Sequence, residues 1–108
     1  MKEFLDMPEQ DEIELTEVLE ALADPIRLEI VSILAADGER ACGTLALPVG
    51  DSTRSHHLRV LRAAGVTATR VEGTRRLVSL RRDDLDARFP GLLDSVVAGS
   101  RQRQAAAR

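Results

Sequence analysis

Aromatic side chains are nearly missing from this chain: its 108 residues contain no Trp, no Tyr and two Phe. Without a row of rings there is no platform on which the bases of a single-stranded nucleic acid could stack. Cysteine is equally scarce. Cys42 is the one thiol, which excludes an intrachain disulfide and a thiolate cluster for zinc and matches a reducing compartment. No apolar run reaches the roughly 18 residues of a membrane-spanning helix. The opening segment, MKEFLDMPEQDEIEL, is acidic where a secretory leader would be apolar. The glycines form no phosphate-cradling motif, and no nucleophile has both a base and an orienting third group. These absences set the expectation of a soluble cytoplasmic protein that is no enzyme, carries no cofactor and has no membrane partner.

What is present is a chain of which 44% is hydrophobic, enough for one compact domain with a modest core. The net charge of −3 conceals a strong polarity along the sequence. Residues 1–24 carry one Lys against nine acids, a net −8, whereas residues 52–82 carry eight Arg against one Glu, a net +7. Such asymmetry implies one acidic surface and one basic surface.

Residues 1–10, with Pro8 and many charges, read as a flexible acidic arm ahead of a domain over residues 11–100. From about Asp11 to Ala23, Ile13, Leu15, Val18, Leu19 and Leu22 recur at helical spacing. Asp24 is an N-cap and Pro25 a first helical residue for a second helix, which turns Ile26, Ile30, Val31, Ile33 and Leu34 inward and stops near Asp37-Gly38. Residues 39–50 allow only a short helix before Pro48 and Gly50. A polar helix over 51–64, capped by Gly50 or Asp51, then ends at Gly65.

After Gly65 the pattern alternates. Val66–Val71 and Thr74–Leu80 around Glu72-Gly73 predict a hairpin over residues 66–80, with Arg75 and Leu77 on one face and Arg76, Val78 and Leu80 on the other. A last helix between Asp83 and Arg108 carries Phe89, Leu92, Leu93, Val96 and Val97 as its stripe, with Pro90 setting its start at or after Phe89. Residues 101–108 read as a frayed tail.

The polar helix has two sides. Arg54, His57, Leu58, Leu61 and Gly65 share one, and Ser52, Ser55, His56, Arg59 and Ala63 share the other. Leu58 and Leu61 anchor it. The hydroxyls of Ser52, Thr53 and Ser55, with His56 and Arg59, are then free to meet base edges in a major groove, and Arg75 and Arg76 on the hairpin to meet phosphate or a minor groove. His57, nearer the apolar side, reads as a packing or capping residue, with a DNA contact as its alternative. Arg62, Arg70, Arg81 and Arg82 stand behind these as candidates.

The order helix, helix, short helix, polar helix, basic hairpin, helix resembles the ArsR-type winged-helix transcriptional regulators. Three stretches carry the resemblance between about Leu19 and Leu93: LADPIRLEIVSIL (Leu22–Leu34), DSTRSHHLRVLRAAGV (Asp51–Val66) and EGTRRLVSL (Glu72–Leu80). The first is similar to the family's Leu-Ala-Asp-Pro-x-Arg-Leu opening, and the second to its Ser-x-His-His-Leu-x-x-Leu-x-x-Ala-Gly recognition helix. The resemblance implies a mainly α fold with a small β-hairpin, a winged helix-turn-helix in the order α-α-α-α-β-β-α. It further implies a homodimer, a repressor's role and a palindromic duplex operator. Arg54 stands where the family has an apolar residue, so it either lays its stem on the core with its head on phosphate or pairs with an acid of the first two helices.

Pairing of the first and last helices across a two-fold axis, as the resemblance implies, would use Leu15, Val18, Leu19, Leu92, Leu93 and Val96. The acidic N-terminal segment is expected on that side, away from DNA. Many family members release DNA on binding metal, through paired cysteines on the short helix or His and carboxylate pairs on the last one. Here the short helix offers only Cys42, and the last helix has no His or Cys. Asp83, Asp84, Asp86 and Asp94 would make a weak hard-cation set, and adjacent His56 and His57 point about 100° apart. Metal at the family's usual sites is therefore not expected, and the effector stays open. Cys42 is either a buried small hydrophobe or a single redox-sensing thiol. Loss of DNA binding in favour of protein binding is the other reading of the fold, against which the +7 of residues 52–82 argues.

Overall fold

The computed structural model describes residues 3–106. Their order is β1 (Glu3–Phe4), α1 (Leu15–Leu22), α2 (Pro25–Asp37), β2 (Arg40–Ala41), α3 (Asp51–Ala64), β3 (Thr67–Glu72), β4 (Arg75–Leu80), α4 (Arg82–Arg88) and α5 (Leu92–Ala106). It is a mainly helical winged helix-turn-helix. The four strands form one antiparallel sheet in the order β1-β3-β4-β2.

The first helix begins later than the spacing predicts. Gln10–Glu12 make a single tight turn, closed by the Glu9 amide donating to the Glu12 carboxylate (2.8 Å), and Ile13 and Glu14 are then extended. The reason lies in Ile13, which leaves helical register to enter the core beneath Gly65. A Cβ on Gly65 would stand 2.6 Å from Ile13 Cγ1, and Gly65 has φ 90°. Only glycine satisfies both the close approach and the left-handed backbone. The Ile13 carbonyl accepts from Arg88 (2.6 Å) instead of from a helical amide.

The start of α2 follows the prediction. The Asp24 carboxylate accepts from the amides of Ile26 (2.9 Å) and Arg27 (3.0 Å), and Pro25 takes the first helical position. Gly38, at φ 78°, ends it. Ile30, Val31 and Leu34 are buried, while Ile26 and Ile33 are half-buried beside α5. The expected short helix within 39–50 is only a turn, Cys42–Thr44, behind the two residues of β2. The Arg40 guanidinium fixes it by donating to the Thr44 carbonyl (2.6 Å) and to Asp37 (2.7 Å).

At the C-terminus of α3, the Gly65 amide donates to the Arg62 carbonyl (3.1 Å) and the Val66 amide to that of Leu61 (3.0 Å), a Schellman closure. The chain enters β3 at once. Its turn into β4 centres on Gly73-Thr74, one residue later than predicted, because Glu72 pairs with Arg75. Gly73 has φ 61° at the first turn position, as a two-residue type II′ turn requires.

Residues 3–10 are not a loose arm. Glu3 pairs with Val71 and Phe4 with Arg70 on the edge of β3, the Leu5 amide donates to the Thr69 carbonyl (2.8 Å), and Arg81 donates to the Pro8 carbonyl (2.6 Å). The last helical segment is two helices. Its break at Phe89-Pro90-Gly91 separates an unpredicted α4 from α5, with Gly91 at φ 83°. Helix α5 continues through Ala106, into the segment expected as a frayed tail, whose last two residues lie outside the described ones. Ile13, Ile30, Leu61, Val66 and Val78 form the fully buried centre, with α1 packed on α3 and α2 on α5.

Candidate nucleic-acid interface

Helix α3 is anchored by its apolar minority. Leu58, Leu61 and Ala64 are buried, and their spacing directs Ser52, Thr53, Ser55, His56 and Arg59 to the surface as one exposed row. Its N-cap is Gly50, which has no side chain to satisfy the first amides. The first amides of α3 therefore have no capping side chain, and Asp51 stands in its first turn.

Two of the sequence candidates are placed away from this row. His57 is only 12% exposed, and its Nδ1 accepts from Arg27 Nη1 at 3.1 Å, since arginine carries donors alone. Arg27 is itself held by the Ala21 carbonyl (2.5 Å), and Asp24 Oδ2 lies 3.8 Å from His57 Nδ1. This knot ties the start of α2 to the middle of α3, so His57 serves the angle between two helices. Burial opposes ionisation of Asp24, but the amides of Arg27 and Ile26 and the Arg27 charge outweigh it and hold the carboxyl below its ordinary value. Sequence reasoning missed Arg27, although its place three residues after the N-cap was in view. Arg54 is half-buried; it pairs with Asp51 of its own helix (3.3 Å), and its Nε is enclosed. An acid of the first two helices is not its partner.

The eight arginines of residues 52–82 divide by partner. Arg70 holds Glu39 through two bonds (2.8 and 2.7 Å) and Glu72 through a third (2.6 Å), which push its pKa further up. Arg81 is buried between Asp84 (2.9 Å) and the Pro8 carbonyl. Arg82 meets Asp94 (2.8 Å). All three are engaged by acceptors of the protein itself, Arg82 at the surface with its side chain 41% exposed. Among the described residues, Arg59, Arg62, Arg75 and Arg76 have no ion-pair partner, and Arg75 and Arg76 stand exposed beside the hairpin turn.

The acidic segment does not keep away from α3. Asp6 and Glu12 line a groove with Arg59 and Arg62, and Glu17 and Glu20 of α1 line another with His56. The local field along α3 therefore runs from acidic at the α1 side to basic at the hairpin, sharpening where a polyanion can approach. Cys42 is half-buried. Burial pushes its thiol pKa up despite the charges of Arg54, Arg76 and Arg62, which opposes a reactive thiolate.

Of the residues expected at a subunit contact, Val18 and Leu93 are consumed within the chain. Leu15 and Leu19 are exposed, and Leu92 and Val96 are half-buried.

Residues 22–70 match a helix-turn-helix domain family, a span that holds α2, α3 and the link between them. The chain is 34% identical over 96 residues to the uncharacterized HTH-type transcriptional regulator YceK of Bacillus subtilis, covering 86% of this chain and 96% of that one. It is 34% identical over 74 residues to the arsenical resistance operon repressor of Staphylococcus xylosus, covering 68% of this chain and 71% of the repressor. The crystal structure of M. tuberculosis Rv0081 superposes with a TM-score of 0.61 at 27% identity, covering 85% of this chain and 86% of the other.

Proposed function

The chain belongs to the ArsR-type helix-turn-helix transcriptional regulators, DNA-binding proteins and not enzymes, and from that premise we propose that it is a homodimeric repressor of a palindromic operator. It reads base edges with the helix 51–64 and holds the flanking backbone with the wing 66–80. What carries this reading is the exposed row Ser52, Thr53, Ser55, His56 and Arg59 beside the unpaired Arg75 and Arg76. Hydroxyl, imidazole and guanidinium donors supply the hydrogen bonds that distinguish base pairs, while the wing arginines neutralise phosphates.

The dimer rests on apolar surface that one chain leaves open. Leu15 is 43% and Leu19 46% exposed on α1, and Leu92 and Val96 add to the apolar surface on α5. Two-fold pairing through these residues would cover them and set two copies of α3 roughly 34 Å apart, one turn of duplex. The sign of regulation follows the S. xylosus relative, named a repressor. The site of action is the cytoplasm.

Selection of binders from a random duplex pool, with binding remeasured across a salt series, tests this. An inverted repeat bound by two chains is the expected product. Affinity should fall by roughly 0.9 log unit per log unit of salt for each phosphate neutralised. Enrichment of no sequence, or binding indifferent to salt, would overturn the reading.

A further inference from the structure

Between α3, the wing and the turn after β2 lies a small cavity of about 80 Å³. Arg54, Ser55 and Arg62 of α3 line it with Thr69 of β3, Arg76 of β4 and Cys42. Two polar atoms of this lining have no protein partner: Arg54 Nε and Thr69 Oγ1. Thr69 is only 2% exposed, so water at the protein surface does not satisfy its hydroxyl. A buried polar group without a partner is uncommon, and its desolvation is uncompensated.

The chemistry of the lining is one-sided. Guanidinium groups donate and cannot accept, hydroxyls can donate, and burial keeps the Cys42 thiol protonated as a further weak donor. No carboxylate lines the cavity among the described residues. Arg54 is answered in part by the exposed Asp51 carboxylate, 3.3 Å away and outside the lining, while Arg62 and Arg76 have no ion-pair partner among the described residues, so an anion with several acceptor oxygens would engage all three. The volume admits one such ion; a nucleotide would require several hundred Å³. A DNA phosphodiester is a poorer occupant, because it brings a sugar on each side while the unpartnered Thr69 hydroxyl lies buried beneath.

We propose that this cavity binds a free, small inorganic oxyanion of the phosphate or sulfate type, held by Arg54, Arg62, Arg76 and the Thr69 hydroxyl. The ion bridges α3 to the wing and cancels charge on Arg62 and Arg76. Resting on the proposed DNA-binding function, the consequence is that the oxyanion and DNA weaken each other's binding by the same factor.

Inorganic phosphate and sulfate, titrated calorimetrically into the full chain against chloride at matched ionic strength, test the site without DNA. Saturable binding of one ion per chain is expected, together with a raised Tm. Thr69→Val removes only an unpartnered hydroxyl, so it should fold at least as stably as the natural chain while binding phosphate at least tenfold more weakly. Arg54→Met should do the same to binding, and Arg101→Ala, on the exposed side of α5, should leave it unchanged. Equal responses to phosphate and chloride, or undiminished binding by Thr69→Val, would refute the site. In phosphate-free buffer Thr69→Val should bind duplex DNA as the natural chain does. Weakened DNA binding there would assign the cavity to a backbone phosphate and overturn the free-ion proposal. Failure of every duplex to bind would instead remove the regulatory function and leave the anion titration to stand by itself.

Discussion

Arginine has two fates in this molecule, and over residues 59–82 the two groups alternate along the chain. Arg27, Arg70, Arg81 and Arg82 close hydrogen bonds inside the fold: to His57, to Glu39 and Glu72, to Asp84 and the Pro8 carbonyl, and to Asp94. Arg59, Arg62, Arg75 and Arg76 find no ion-pair partner among the described residues. In sequence both groups contribute equally to a charge sum. In space, a paired arginine presents little field to a polyanion, whereas an unpaired one on a projecting hairpin presents nearly all of its charge. The +7 of residues 52–82 overstates the basic surface, and the four unpaired arginines measure it better.

The division breaks cleanly under substitution. The double change Arg75→Ala and Arg76→Ala should have the largest effect, weakening binding to every duplex by on the order of 3 kcal/mol per dimer and reducing the salt slope. Thermal unfolding of the same variant should be nearly unchanged. Arg81→Ala should do the reverse: a loss of about 2 kcal/mol in denaturant unfolding, because Asp84 and the Pro8 carbonyl lose their donor, with the salt slope of DNA binding intact. If Arg81→Ala altered that slope while Arg75→Ala and Arg76→Ala did not, the partition would be inverted.

Ser55→Ala or His56→Ala should cost about 1–3 kcal/mol of discrimination between the preferred site and a mismatched one, read by competition with variant duplexes. Binding to unrelated DNA should hardly move. Asp24→Ala removes the cap of α2 and should cost about 1 kcal/mol. Its carboxyl is held below 3.8, its ordinary value, in the folded chain. The stabilisation it adds is therefore complete at neutral pH and is lost as pH falls from about 4 through the lowered folded value. Acid unfolding of Asp24→Asn should accordingly show a smaller loss over that window. Arg70→Ala should have the smallest effect on denaturant unfolding, since its ion pairs are near the surface.

Local signals read well because they act over a few residues. Asp24-Pro25 at the head of α2, Gly65 at the end of α3 and the alternation of the hairpin each state their geometry within a turn or a strand. The exposed row of α3 was legible for the same reason: Leu58 and Leu61 fix which side turns inward, and the remainder follows from helical period. The misreadings involve contacts between distant segments. Helical spacing around Ile13 was overridden by a hole under Gly65, and nothing near Glu3-Phe4 announces a free edge on β3. The apolar residues from Phe89 to Val97 fitted one stripe, and the lone Leu85 ahead of them gave no period to read, yet it enters the core from a separate α4.

The sequence by itself determined α2 with its Asp24-Pro25 start, the glycine end of α3, the wing and the outward face of α3, since each follows from backbone preference and side-chain period. Only the tertiary structure decided which arginines are free, that His57 locks α2 to α3, that acid lies along one flank of α3, and that Thr69 and Arg54 border a cavity with donors left over. Charge pairing and burial depend on which groups meet across the fold, and the spacing of residues along the chain does not contain that distance.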